Sequence, residues 1–184
     1  SNPTVLVVVD ALPQSIYERG EVMSAPAYRL FLREADRNGF SEEDFVFVTP
    51  CVPIPIELEG SESKISKFIA EYREEFLDVL EKVSDGCKAV LSLGKVGSKQ
   101  LMGRPVQITK ARGTFCTADA TKKLPVLPLL SPFHVLRRPE LKDIYDSDFR
   151  QLAALKKSNW SIGELSEGNG TKGYRLYNGI NAIL

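Results

Sequence analysis

Two periodicities alternate along this chain. Val5-Leu-Val-Val-Val9, Phe45-Val-Phe-Val-Thr49, Ala89-Val-Leu-Ser-Leu93 and Val126 to Leu130 are short apolar runs rich in β-branched and aromatic residues. Such runs mark strands covered on both faces of a parallel sheet. Between them, Tyr28 to Ala35 carries apolar positions at helical spacing and closes on Asn38-Gly39, a C-cap signal. Ile65, Phe68, Ile69, Tyr72, Phe76, Val79, Leu80 and Val83 recur at intervals of three and four and predict one long amphipathic helix with an acidic outer face. Gly94 and Gly97 open a short helix that runs through Leu101, and Leu141, Ile144, Tyr145, Phe149, Leu152 and Leu155 mark a final one. Strands alternating with helices predict a three-layer α/β/α domain with a mostly parallel central sheet of about four strands, over residues 1–157. The stretch 158–184 is rich in glycine and lacks a sustained period, which predicts a C-terminal tail or linker.

Each predicted strand empties into a loop with chemical potential. The first ends at Asp10 and Pro13, the second at Pro50, the third at Gly94 and the fourth at Ser131-Pro132. Loops at the carboxyl ends of parallel strands usually hold the ligand. A glycine turn leading into a helix N-terminus is a possible anion site, or else only a device for close helix-to-strand packing.

Composition narrows the class. A chain of 184 residues with 43% hydrophobic side chains is large enough for a core without disulfides or a structural metal, which excludes disorder and collagen. Cys51, Cys87 and Cys116 are widely separated, form no CxxC, and have only His134 as an imidazole partner. No zinc or iron-sulfur ligand set emerges, so neither metal nor cofactor is expected. An odd cysteine count fits a reducing cytoplasm, and no apolar run approaches the roughly 20 residues of a membrane helix.

The net charge of zero hides an asymmetry. Residues 94–142 hold ten basic side chains against two acidic ones, Asp119 and Glu140, a local net of +8. Segregated charge of this kind suits phosphates, with an acidic protein partner or a merely solvated surface as the alternatives.

Gly94-Lys-Val-Gly-Ser-Lys-Gln-Leu-Met-Gly103, Ile108-Thr-Lys-Ala-Arg-Gly113 and Val126-Leu-Pro-Leu-Leu-Ser-Pro-Phe-His-Val-Leu-Arg-Arg-Pro139 follow one another in an order that resembles the uracil-DNA glycosylase superfamily. The resemblance is closest to the iron-sulfur family-four branch, with its LGxxAxxxLLG turn, itklRG segment and HPSYLLR motif. It extends upstream, where Val9-Asp-Ala-Leu-Pro13 with Gly20 looks like the GEAPG loop, and covers about residues 4–157. It implies a fold that binds DNA across the strand ends, inserts a side chain near the last motif into the duplex and extrudes uracil into a pocket. Family chemistry needs a group that positions water, an amide that reads the uracil edge, an aromatic that stacks on the base and a histidine that stabilises the leaving anion.

The departures fall on those roles. Ala11 takes the place of the family's Glu, and Leu12 stands where other branches carry the catalytic Asp. Pro50 occupies the position of the uracil-reading Asn, Met23 falls near the stacking Phe, Ser131 replaces the leading His of the last motif, and the cluster cysteines are absent. Leu12, Pro13, Met23 and Pro50 are therefore the expected pocket residues. Lys95, Lys99, Arg112, Ser131, Pro132, His134, Arg137 and Arg138 are the expected DNA contacts. For Arg112 and Arg137 the competing expectation is a salt bridge to the acidic helix.

The resulting expectation is a DNA-binding module with a glycosylase-like fold and degenerate chemistry, associated with a phage-type DNA polymerase or other replication protein. An active glycosylase using Asp10 and His134 is the alternative, and a protein-interaction scaffold a further one.

Overall fold

A computed structural model describes residues 3–19 and 25–163. Four strands, β1 (Val5–Val8), β2 (Phe45–Val48), β3 (Ala89–Leu93) and β4 (Val126–Leu129), form one all-parallel sheet in the order β2-β1-β3-β4. Val5 pairs with Phe45 on one side and Ala89 on the other, and Val90 pairs with Val126, so all carboxyl ends reach the same edge. The helices are α1 (Gln14–Glu18), α2 (Pro26–Arg37), α3 (Glu62–Glu71), α4 (Arg73–Val83), α5 (Gly94–Met102), α6 (Ile108–Ala111), α7 (Pro132–Arg137) and α8 (Lys142–Lys157).

Side-chain alternation along β1 divides the core. Val5, Val7 and Val9 point into a cluster with Tyr28 and Phe31 of α2 and Phe149, Leu152 and Leu155 of α8. Leu6 and Val8 point the other way, toward Phe76 and Leu80 of α4 and Leu101 and Met102 of α5. The result is the three-layer α/β/α fold expected from the sequence, with both faces of the sheet dry. Phe31 meets Phe45, Phe47 and Phe149 edge-on at centroid distances of 5.3, 5.7 and 5.3 Å, a geometry favoured by the ring quadrupoles. Among the described residues no helix is long and apolar enough to cross a membrane.

The expected long helix over 65–83 is two helices. Tyr72 separates α3 from α4 with φ −91° and ψ 1°. The Ile69 carbonyl accepts from the Tyr72 N–H and from the buried Gln100 side chain at 2.9 Å, instead of continuing the i to i+4 ladder. Each half then serves its own contacts: Ile69 joins Cys51 and Ile54, whereas Phe76 and Leu80 join the sheet.

Pro128 lies on β4, an edge strand, where a missing N–H is tolerated. The chain at 113–116 covers that edge: the Gly113 N–H donates to the Pro128 carbonyl, and Cys116 exchanges hydrogen bonds with Val126. All three cysteines are buried with free thiols. Burial pushes the Cys51 thiol up to about 11 and the Cys116 thiol up to about 12, so both are inert hydrophobes. Trp160 and Ile162 pack against the core, so the chain beyond Lys157 begins as part of the domain; the rest of the expected tail, 164–184, lies outside the described residues.

The glycines of α5 set how closely it meets the sheet. A Cβ at Gly97 would stand 2.9 Å from the Val8 carbonyl and 3.1 Å from that of Val9, backbone that cannot move aside. Gly97→Ala should therefore destabilise the protein by about 1–3 kcal/mol, read from urea unfolding. An unchanged midpoint would show that α5 retreats without cost.

Candidate functional site

The carboxyl ends of β1, β3 and β4 open on a cavity of about 600 Å³, within the range of small-ligand sites. Asp10, Leu12 and Pro13 enter it from the loop after β1, Gly94 and Lys95 from the start of α5, and Ser131, His134 and Arg137 from the start and body of α7. The β1 loop is held in place by its neighbour: Ile54 donates its N–H to the Leu12 carbonyl, and Gln14 donates to the Ile54 carbonyl. Gly94 allows the three walls to meet. It has φ +73°, and a Cβ there would stand 2.8 Å from Asp10 Oδ1 and 2.9 Å from Ser131 Cβ.

Asp10 is the chemical centre of this cavity. The Ser131 hydroxyl donates to Asp10 Oδ2, and Ser131 Oγ in turn accepts from the Phe133 N–H at 3.2 Å as the N-cap of α7. Burial raises the Asp10 carboxyl from 3.8 to about 6, against the opposing pull of the Ser131 hydrogen bond and the Arg137 charge. A carboxyl poised near neutrality in a cleft is a frequent mark of a functional site. Tyr28 lies nearby, fully buried and edge-on to Phe133 at 5.5 Å, with its hydroxyl lacking a partner among the described residues. Burial, and then the Asp10 charge, hold its phenol well above the ordinary range.

The expected site residues divide. Asp10, Leu12, Pro13, Lys95, Ser131, His134 and Arg137 share the cavity. Pro132 is buried as the first residue of α7, where its fixed φ suits the helix start. Pro50 stands apart from the cavity lining: it is buried, and its carbonyl accepts from Gln100 Nε2 at 2.9 Å. Met23, with Gly20, lies outside the described residues. Lys99 is exposed on the flank of α5, and Arg138 is exposed but paired with Glu140.

Arg112, expected at a phosphate, is engaged within the protein. Its Nη1 donates to both carboxylate oxygens of Asp148 at 3.0 Å, and so ties the loop after α6 to α8. The competing salt bridge is present, made to the last helix and not to the acidic one. Gly113 belongs to the same lock, since a Cβ there would come within 2.2 Å of Asp148 Oδ1. Basic residues close in sequence also separate in space: Lys142 pairs with Asp146, and Lys122 lines a different cavity beside Glu81 and Asp85.

The sequence reading missed two residues. Tyr28 reads as an ordinary core position of α2; a tyrosine on an apolar stripe, whose hydroxyl needs a partner, was the available signal. Gln100 falls at a variable position of the Gly94–Gly103 motif, yet its amide holds Pro50 and Ile69 together. Among the described residues no three His, Cys, Asp or Glu side chains converge as a metal site. The sequence matches no protein-family model and no curated protein.

Two consequences are measurable. Between pH 3.8 and about 6 the folded state holds a proton on Asp10 that the unfolded state has released, so this contribution to stability is present at low pH and lost as pH rises through 6. Asp10→Asn should therefore gain on the parent by up to about 3 kcal/mol between pH 4 and 7.5 in urea unfolding; parallel pH profiles would contradict it. Arg112→Ala strands the buried Asp148 carboxylate and should cost about 3 kcal/mol, largely recovered by adding Asp148→Leu. A mild loss that the second substitution does not repair would place Arg112 outside the fold's support.

Proposed function

We propose that this chain is a DNA-binding module, of the uracil-DNA glycosylase-like kind suggested by its sequence motifs, in which uracil excision is largely lost. The observation that carries the proposal is the gathering of Lys95, His134 and Arg137 around a cavity roomy enough for a base at the carboxyl ends of a parallel sheet. Lys95 and Arg137 are exposed, so their charges can reach a phosphate backbone while the cavity takes a base. Leu136, 45% exposed beside Arg137, is an apolar tip of the type that inserts between stacked bases.

Loss of chemistry is supported by the side chains at the cavity. Leu12 cannot orient a water, and Pro50, the residue at the position of the uracil-reading Asn, lies away from the cavity and carries no amide. Ser131 is committed to Asp10 and to the α7 N-terminus, which leaves no imidazole at that position for a departing base. A replication protein such as a phage-type polymerase is the partner that the sequence resemblance suggests.

Asp10 supports a second reading. Above pH 6 its carboxylate is ionised inside the cavity and able to orient a water, and His134 lines the same cavity, so a rearranged glycosylase is the competing function.

One set of samples separates the two. Single-stranded and duplex DNA, with and without uracil, should bind in a salt-dependent manner without regard to uracil, and alkali should reveal no abasic sites at stoichiometric protein. Lys95→Ala and Arg137→Ala should each flatten the log–log salt slope by about one. Salt-independent or absent binding overturns the proposal, and uracil-dependent strand cleavage that Asp10→Asn abolishes establishes the second reading.

A further inference from the structure

A second cavity, of about 590 Å³, lies between α3 and α5 and shares Lys95 and Val96 with the first as a common wall. Its lining is apolar where α3 and α5 face each other, through Ile65, Ile69 and Val96. Its rim is cationic: Lys95 and Lys99 project from successive turns of α5, and Arg73 lies across from them. Arg73 is fixed there, because its Nε donates to the Gln100 carbonyl at 3.2 Å and its guanidinium lies against Gly103, where a Cβ would come within 2.8 Å of Nη2. Neither lysine has an ion-pair partner among the described residues, and Glu62 is the one acidic side chain lining this cavity. The break between α3 and α4 gives α3 its own direction, and Gln100 locks it by holding the Ile69 and Pro50 carbonyls at once. The uracil-pocket reading touches this chamber only at Lys95 and Lys99, as phosphate contacts on its rim.

We propose that the second cavity holds the nucleotide adjacent to the one in the first, so that the site binds two successive unpaired nucleotides of a single DNA strand. The inference rests on the DNA-binding reading and adds its substrate class. An apolar slot accepts the face of any base without sequence preference, and a lysine-lined rim follows the backbone between the two chambers. Duplex DNA can fill the first chamber by extruding one nucleotide; filling both requires unstacking a neighbour as well, which a single strand has already done. Lys99 lines the second chamber alone, so its effect belongs to single strands, whereas Lys95 and Arg137 act on both forms.

The test is fluorescence anisotropy with a labelled twenty-nucleotide single strand and with the same strand annealed to its complement. The parent should bind the single strand about tenfold tighter than the duplex, since only the single strand fills both chambers without first unstacking a neighbour. Ser66→Trp and Ala70→Trp, both at exposed α3 positions that line the chamber, should fill it and reduce single-strand affinity to the duplex level while duplex affinity stays. Lys99→Ala, an exposed change with no packing to disturb, should move in the same direction and serves if either tryptophan variant fails to fold. Equal affinity of the parent for both DNAs overturns the inference, as do variants that bind the single strand like the parent while Lys95→Ala and Arg137→Ala still weaken both forms; that second result leaves DNA binding itself standing. Failure of the parent to bind either DNA overturns both.

Discussion

The contact between α5 and the ends of β1 and β4 is the constraint on which the site depends. Gly97 lets the helix lie directly on the Val8 and Val9 carbonyls, and Gly94 lets Asp10 and Ser131 meet beneath its first turn. Any side chain at these positions pushes the helix outward. Lys95 would move with it, and the wall common to the two cavities would open. Glycines that read in sequence as an anion-binding turn therefore act first through packing, and through packing determine where the cations stand.

The same economy appears in the charges. Asp10 is held against desolvation by one hydroxyl and the charge of Arg137, an incomplete compensation that leaves its carboxyl near neutrality. Asp148 receives a guanidinium that spans both oxygens, although burial still raises its carboxyl. The difference in partner separates their roles: Asp148 fastens the loop after α6 to the last helix, and Asp10 faces a cavity. The opposite end of the sheet has a cavity of about 550 Å³ too, but there Glu81 and Asp85 offset Lys82 and Lys122. Its lining is balanced in charge, whereas Lys95 and Arg137 outnumber Asp10 in the cavity at the carboxyl ends.

The strands were legible because β-branched and aromatic runs have few alternatives once both faces are covered; Ala89–Leu93 is observed as expected, and the other strands end within a residue. The break at Tyr72 was not, since its cause is Gln100, a side chain from another helix taking the Ile69 carbonyl. Periodicity reports which face of a helix is apolar, and that face continues through the break. Three of the four strand-end loops that the sequence offers, those after β1, β3 and β4, form the cavity, and the loop after β2 does not line it. The fate of Arg112 was not legible, because its partner Asp148 lies on another element and only the fold brings it near, whereas Arg138 and Lys142 pair with Glu140 and Asp146, close by in the chain. Sequence proximity concentrates charge along the chain, and folding then spends part of it on internal pairs.

The proposed function has nucleic acid meeting the carboxyl edge of the sheet. Titration of the isotope-labelled protein with a short single-stranded oligonucleotide, followed by backbone amide chemical shifts, tests it most directly. The account predicts shifts concentrated at residues 10–13, 94–100 and 131–138. Shifts concentrated instead around 81–86 and 121–124, at the opposite edge, or none at all, would contradict it.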